Sequence, residues 1–298
     1  MTETALESPS KTAEWKSLLG FLPQDDATNL VLSQGIPLEP SAKDKLTARI
    51  NEAIDHCASI VGRRSLTPVV KEILSTEFLD RSTRLTEEPT FKEHLGGMKD
   101  WSFGLVEIGK LHAFQPNLNL DYVNRLKERA PIPKDISGLL KFCLPTREEI
   151  SKSPAAATFN PNTNTFTLAS ENLDVRILGN VQGEDPQTGR RFFGIAYGGG
   201  LPQISVVEYK GLYMIKNGYH RAYSLLEKGH DFMPCLIVRT DNYQLTGASG
   251  PGFFGFDLML SDRSPIMNDF LSSAAVTYPR RLMRLIVSVH GEVQVIPV

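Results

Sequence analysis

The chain has 298 residues, of which 41% are apolar and 22% charged, with a formal net charge of −2. This is a globular composition, long enough to bury one large core or two ordinary ones, and it excludes collagen-like, low-complexity and disordered classes. The near-neutral balance supplies no overall basic field of the kind that drives nonspecific nucleic-acid binding, so DNA is not a favoured partner. Cys57, Cys143 and Cys235 are far apart and odd in number, which fits a reducing compartment better than a disulfide framework, and no Cys/His cluster has zinc-ligand spacing. The opening residues lack an apolar core flanked by basic residues, and no apolar run reaches the ~18 residues of a membrane span. A soluble cytoplasmic protein is expected.

Residues 1–14 are polar and read as a flexible terminus. Trp15, Leu18, Leu19 and Leu22 follow helical spacing, which predicts a short amphipathic piece whose Trp15 either caps the core, the favoured role, or anchors a partner subunit. The clearest helix runs from Ser41 to Val61, where Leu46, Ile50, Ala53, Ile54, Cys57, Ala58 and Val61 recur at three- and four-residue steps and Gly62 is placed to end it. His56 lies on the flank of that stripe. Ser65-Leu66-Thr67-Pro68 has the form of a second helix start, with Val69, Val70, Ile73 and Leu74 facing inward. Together these predict a helical N-terminal region over residues 15–100, available to a protein partner. A plain helical hairpin is favoured over a DNA-reading helix-turn-helix, because Arg63-Arg64 is the only concentrated positive charge nearby. Residues 80–100, rich in charge, threonine and glycine, read as a linker or surface loop.

Leu105–Ile108 reads as a strand, His112–Pro116 as a loop, and Asn119 as the cap of a helix continuing through Asp121 and Leu126. From Ala130 to Gly200 the prolines at 131, 133, 145, 154, 161 and 186 interrupt the pattern, predicting an insertion of short elements at about 130–200. Within it Thr165–Leu168 and Asp174–Leu178 are candidate strands, and Asp185–Gly189 has the composition of a reverse turn. Gly198-Gly199-Gly200 matches neither GxGxxG nor GxxxxGK[ST] and leads into Leu201-Pro202, so it reads as a flap or hinge. Ile204–Tyr209 and Leu212–Ile215 flank Lys210-Gly211, a hairpin signal. A glycine turn, a short helix and the strand Pro234–Val238 follow. Residues 241–298 are expected to be a C-terminal extension packing on the core. It would hold a loop at Gly247–Gly255, a short helix at Asn268–Val276 and a closing hairpin of Leu285–Val289 with Val293–Ile296.

The chemistry concentrates at Asn217-Gly218-Tyr219-His220-Arg221. Asn-Gly can turn a strand into a helix without steric cost. The first N–H groups of that helix have no partners within it, and its dipole favours negative charge there. A histidine and an arginine stand where acids are preferred, and this mismatch asks for an anion. Arg221 could supply a forked contact to phosphate oxygens and His220 a second donor; alternatively both pair with Glu208 or Glu107 and fasten the helix. Tyr219, Ala222, Tyr223 and Leu226 should face the sheet, with His220, Ser224 and Glu227 opposite.

Met214–Leu226, with Gly229 and Phe232–Ile237, resembles the signature segment of the ParB/sulfiredoxin-like superfamily, which includes chromosome-partitioning CTPases, sulfiredoxins and free-serine kinases. Val106–Leu111 and Asp121–Leu126 are similar to its opening strand and helix. The resemblance covers roughly residues 104–240, apart from the insertion. It implies an α+β fold, a ParB/sulfiredoxin-like mixed sheet with packed helices at 101–240, preceded by the helical N-terminal region. It also implies nucleotide phosphates held at Asn217, Gly218, Tyr219, His220 and Arg221, with Gln115 from the loop after the opening strand. The candidate cofactor is then a nucleotide with Mg, and the candidate chemistry is phosphoryl transfer or hydrolysis. Glu107, Glu208 or Asp121 would be the base or metal ligand. Tyr219 occupies the position of the sulfiredoxin catalytic cysteine, so that reaction is not expected. The alternatives are a non-catalytic binding or assembly protein on the same fold, or a DNA-associated regulator using basic patches such as Arg280-Arg281 and Arg284.

Overall fold

A computed structural model of the chain describes residues 12–34, 39–60, 65–72, 75–95, 100–150, 156–170, 176–198, 201–282 and 285–291. The first elements in chain order are β1 (Thr12–Ser17), α1 (Gln24–Gln34), α2 (Pro40–Ile60), β2 (Val70–Lys71), α3 (Thr76–Glu87), α4 (Pro89–Leu95) and β3 (Trp101–Glu107). They are followed by β4 (Asn117–Asn119), α5 (Leu120–Arg129), α6 (Ile136–Cys143), β5 (Ala156–Asn160), β6 (Thr165–Ser170), β7 (Arg176–Glu184) and β8 (Arg191–Gly198). The chain continues through β9 (Ser205–Tyr209), β10 (Leu212–Asn217), α7 (Tyr219–Glu227), β11 (Phe232–Arg239), α8 (Phe256–Met259), β12 (Val276–Arg281) and β13 (Leu285–His290). The mixed α+β class is as expected. These elements form two units, residues 1–150 with 201–282 and residues 151–200 with 283–298.

The first unit is built on a sheet of order β10-β9-β11-β3-β2. Its centre is β11, in which Met233 through Val238 are all buried, the continuous burial of a strand covered on both faces. β11 runs antiparallel to β3 and parallel to β9. A parallel pair needs a crossover, and β10 with α7 provides it. Between β9 and β10, Lys210 (φ 51°) and Gly211 (φ 81°) are both left-handed, the pairing that matches a two-residue hairpin to strand twist. A second sheet, β12-β1-β4, joins three distant stretches, with Trp15 opposite both Tyr278 and Asn119. On it sit α1 and α2, whose Val31, Leu46, Ile50 and Ala53 enclose a small core with Leu19, Val276 and Tyr278.

In the second unit β13, β6 and β5 form an antiparallel sheet in that order, and β7 pairs with β8 in a separate antiparallel ribbon. Phe159 and Phe166, opposite each other across β5 and β6, lie 4.5 Å apart between ring centroids with their planes tilted by 32°.

Several expectations are corrected. Thr12–Ser17, which takes in the end of the terminus expected to be flexible and the Trp15 start of the expected amphipathic piece, forms strand β1, because β12 and β4, from far along the chain, supply its hydrogen-bonding partners; Leu19–Phe21 is a 3-10 turn. Trp15 lies half-buried against the second core with Arg280 over its ring at 4.2 Å. Ser65–Pro68 starts no helix. Val69 and Val70 are exposed and run beside β3, where the Glu107 N–H donates to the Val69 carbonyl at 2.9 Å; β-branched residues favour that setting. The helix start is at Ser75, whose hydroxyl accepts from the Phe78 N–H, while Ile73 and Leu74 lie outside the described residues. Residues 80–95, read as loop, are helical in α3 and α4 because Phe78, Leu85, Phe91 and Leu95 are apolar at helical spacing and buried. In the insertion, the prolines bracket α6 rather than prevent it, and Asp135 caps it by accepting from the Gly138 N–H at 2.8 Å. The helix expected at Asn268–Val276 is a 3-10 turn, Met267–Leu271, after which Val276 opens β12. β13 pairs with β6; residues 293–296, expected as its hairpin partner, lie outside the described residues. Asp174, Val175, Gly199 and Gly200 also lie outside them. Residues 15–100 and 241–282 fall in the same unit as the central sheet.

The 3-10 turn Leu19–Phe21 seats on α2 only because residue 20 is glycine. A Cβ there would lie against the Ala53 carbonyl oxygen and 2.7 Å from Cys57 Sγ. Gly20→Ala is therefore expected to destabilise the first unit by about 1–3 kcal/mol, read as a lower midpoint in urea denaturation with an unchanged slope.

Candidate functional site

The strand β10 ends at Asn217, opposite Ser205 of β9. Gly218 then takes a left-handed conformation, φ 99° and ψ 21°, and a Cβ at this position would approach Ile204 Cγ1 at 2.8 Å. Both conformation and space therefore demand glycine. The first bond of α7 runs from the Ala222 N–H to the Gly218 carbonyl at 2.8 Å, so the N–H groups of Tyr219, His220 and Arg221 have no acceptor within the helix. No acidic residue occupies its first turn.

The side chains of this turn are held on all sides. Tyr219 is buried, and its hydroxyl accepts from the N–H groups of Phe114 at 2.9 Å and Gln115 at 3.2 Å; burial raises its pKa far above the ordinary tyrosine value. Gln115 is thus brought to the turn by its backbone. His220 Nε2 accepts the Asn119 N–H at 3.1 Å, and its ring meets Tyr122 edge-on. Desolvation pushes its pKa down to about 4. The imidazole is therefore neutral near pH 7, and the bond from Asn119 puts its proton on Nδ1. Arg221 donates to the carbonyls of Phe142 at 3.0 Å and Pro202 at 2.6 Å. Asn217 Nδ2 donates to the carbonyls of Leu201 at 2.5 Å and Gln203 at 3.1 Å. Gln203 Nε2 and the Ile204 N–H close the same region on the carbonyls of Pro145 and Cys143, both at 2.8 Å.

The alternative pairing of His220 and Arg221 with Glu208 or Glu107 is not found. No ion pair of either residue is found among the described residues. Desolvation lowers the Arg221 pKa, countered only by Cys143 and Tyr122. Glu107 Oε2 instead accepts the Val69 N–H at 3.0 Å and pairs with Lys110 at 3.1 Å. Glu208 Oε1 accepts the Gly211 N–H at 2.7 Å and shapes the hairpin. In the sheet register Glu107 is opposite Phe232 and Glu208 opposite Arg239. That places them seven residues apart along β11, roughly 23 Å at about 3.3 Å per residue, so they cannot share a metal. Asp121 is exposed in the first turn of α5, and no His/Cys/Asp/Glu group able to hold a metal occurs among the described residues.

Three further findings concern residues around the turn. Ser224 and Leu225 of α7 are fully buried, while Leu226 is only half-buried, which rotates the expected inner face by about one residue. Lys16 Nζ donates to the Tyr223 hydroxyl at 2.9 Å, that hydroxyl donates to Glu227 Oε1 at 3.2 Å, and Lys127 pairs with Glu227 at 3.0 Å. This network fixes the outer half of α7 to β1 and α5. Burial pushes the Cys143 thiol up to about 12 and Cys235 well above its ordinary value, so neither is a nucleophile at neutral pH.

No protein-family model, curated protein or solved structure matches this chain. No helix among the described residues is long and apolar enough to cross a membrane.

Two outcomes follow from this geometry. Gly218→Ala should cost at least about 2 kcal/mol, from left-handed strain together with the clash on Ile204, read by thermal and urea unfolding. The depressed His220 pKa means that the unfolded chain binds the proton more readily. Its contribution is therefore present above the ordinary histidine value and lost as pH falls from about 6.5 toward about 4, on the order of 3 kcal/mol in all. His220→Gln, which can still accept the Asn119 N–H, should flatten that part of the stability profile relative to wild type between pH 7 and pH 4.5.

Proposed function

We propose that this chain binds a phosphate-bearing small molecule, in the first instance a nucleotide, at the start of α7. The observation that carries the reading is a partly buried guanidinium with no carboxylate partner among the described residues, at the positive end of a helix. Burying a cation without a counter-charge is costly, and a phosphate would supply that charge while accepting the unpaired N–H groups. A guanidinium has five N–H donors; the two bonds to carbonyls orient Arg221 and leave donors for an anion. The neutral His220, with its proton on Nδ1, would be a further donor rather than a charge. Resemblance of Met214–Leu226 to the ParB/sulfiredoxin-like signature supports nucleotide, with Mg, as the anion class.

The reading is of binding rather than turnover. Glu107 and Glu208 are each engaged in holding backbone and are far apart, which favours a non-catalytic binding or assembly role over phosphoryl transfer.

Calorimetric titration with inorganic phosphate, pyrophosphate and a panel of Mg-nucleotides tests the site. Wild type should bind at least one of these saturably and gain thermal stability from it. His220→Asp places a carboxylate in the first turn and gives up the bond from Asn119, so it should lower the melting temperature and, titrated at a temperature where circular dichroism shows it folded, bind at least tenfold more weakly. The absence of saturable binding by wild type at millimolar ligand, or unchanged binding by His220→Asp, would remove the proposal.

A further inference from the structure

In the second unit the ribbon of β7 and β8 carries an apolar surface that the rest of the chain leaves uncovered. Its closing turn is firmly built. The Asp185 N–H donates to the Arg190 carbonyl at 2.9 Å, and the Asp185 carboxylate accepts from the Gln187 N–H and the Thr188 hydroxyl, each at 2.8 Å. The register sets the faces. Tyr197, opposite Ile177, shares one face with Phe193 and Ile195, while Val181, opposite Gly194, shares the other with Phe192, whose ring lies over Gly183. Ile177, Val181, Phe192, Phe193 and Tyr197 are each between 44% and 68% exposed. At about 200 Å² for an aromatic side chain, they leave on the order of 450 Å² of apolar surface, the scale at which an exposed patch marks an interaction site. A two-stranded ribbon is also marginal on its own in water.

We propose that β8 pairs edge to edge with β8 of a second copy of this chain, antiparallel about a two-fold axis, so that the two ribbons form one four-stranded sheet. Neither outer edge of the ribbon is paired among the described residues. The two edges differ. A bulge between Ile177 and Gly179 interrupts β7, a device that blunts an edge, whereas β8 runs from Arg191 to Gly198 without bulge, proline or lysine. The exposed rings of Phe192, Phe193 and Tyr197 all stand on β8 and flank its edge from both faces. A strand paired antiparallel with its own copy keeps each face on the same side of the sheet when the axis passes through a residue. With the axis at Gly194, Phe193 comes opposite Ile195 of the second copy, Phe192 opposite Ala196 and Arg191 opposite Tyr197, so no like charges face each other. Charge favours this occupant over a nucleic acid, because Glu184 and Asp185 balance Arg190 and Arg191. Area favours it as well. Two copies bring about 900 Å² of apolar side chain to the contact, and the backbone of the joined edge carries it past the ~1,000 Å² of a specific interface. The bulged edge of β7 stops further addition, so assembly closes at two copies. This proposal does not depend on the anion reading at α7.

The experiment is sedimentation equilibrium of the full chain across the micromolar range, with amide hydrogen exchange read at both ends of that range. Wild type should pass from a monomer of 33.1 kDa to a species of twice that mass. The amides of alternate residues along Arg191–Tyr197 should exchange at least about tenfold more slowly in the dimer than in the monomer. Phe193 is the most exposed of the five side chains, so Phe193→Lys should fold as wild type by circular dichroism. It sets like charges on either side of the axis and should weaken dimerisation at least about tenfold. Ile286→Lys, at a similarly exposed apolar position on β13, should leave the dimer intact. A wild type that stays monomeric throughout, a dimer that survives Phe193→Lys combined with Tyr197→Lys, equal loss of the dimer in Ile286→Lys, a dimer without slowed exchange in β8, or assembly that continues beyond two copies would overturn the proposal.

Discussion

Arg221 and Asn217 hold the first unit closed where the chain leaves it and returns. The carbonyls of Phe142 and Pro202 both accept from Arg221, while those of Leu201 and Gln203 accept from Asn217. These carbonyls lie on the segments that precede and follow residues 151–200. Without side-chain donors they would be polar groups facing a desolvated region. The left-handed Gly218 makes the arrangement possible, because it lets consecutive residues reach in different directions from one turn. The sheet order depends on it too, since β9, β10, α7 and β11 are continuous through this point.

The same geometry explains why structural and ligand-binding roles for this turn are not exclusive. A guanidinium fixed by two carbonyls is positioned without being neutralised, as carbonyls carry dipoles and no net charge. The half-buried neutral His220 adds rigidity by receiving the Asn119 N–H, so the cap of α5 is joined to the first turn of α7. Desolvation keeps its imidazole uncharged, and the positive character of the turn comes from Arg221 and the helix end alone.

Much of the central unit was legible in the sequence, for local reasons. Lys210-Gly211 marked its hairpin, Asn119 its helix cap, and the stripe through Leu46, Ile50, Ala53 and Cys57 its longest helix; each signal lies within a few residues of the feature it specifies. The misreadings have non-local causes. Trp15 and Val70 lie in strands whose partners are β12 and β4, or β3, none of which a local window contains. α3 was obscured because its buried positions, Phe78 and Leu85, are separated by two turns of charged and hydroxyl residues. At the candidate site the residue types pointed to the turn, but the partners of Arg221 and Asn217 are backbone carbonyls, which leave no mark in side-chain identity. The expected acid partners, Glu107 and Glu208, were wrong for the same reason: each holds a backbone N–H.

The pairing of β13 with β6, from Leu285 opposite Ser170 to His290 opposite Thr165, bears on the order of assembly. During synthesis β5 and β6 emerge long before β13, and the whole stretch 201–282 of the first unit is made between them. Until then β6 has one paired edge and one open edge. Closing such a pairing has a large loop entropy cost if the intervening chain is unfolded and a smaller one once that chain has folded. The second unit is therefore completed last, and the growing chain carries an exposed strand edge from the synthesis of β6 until that of β13.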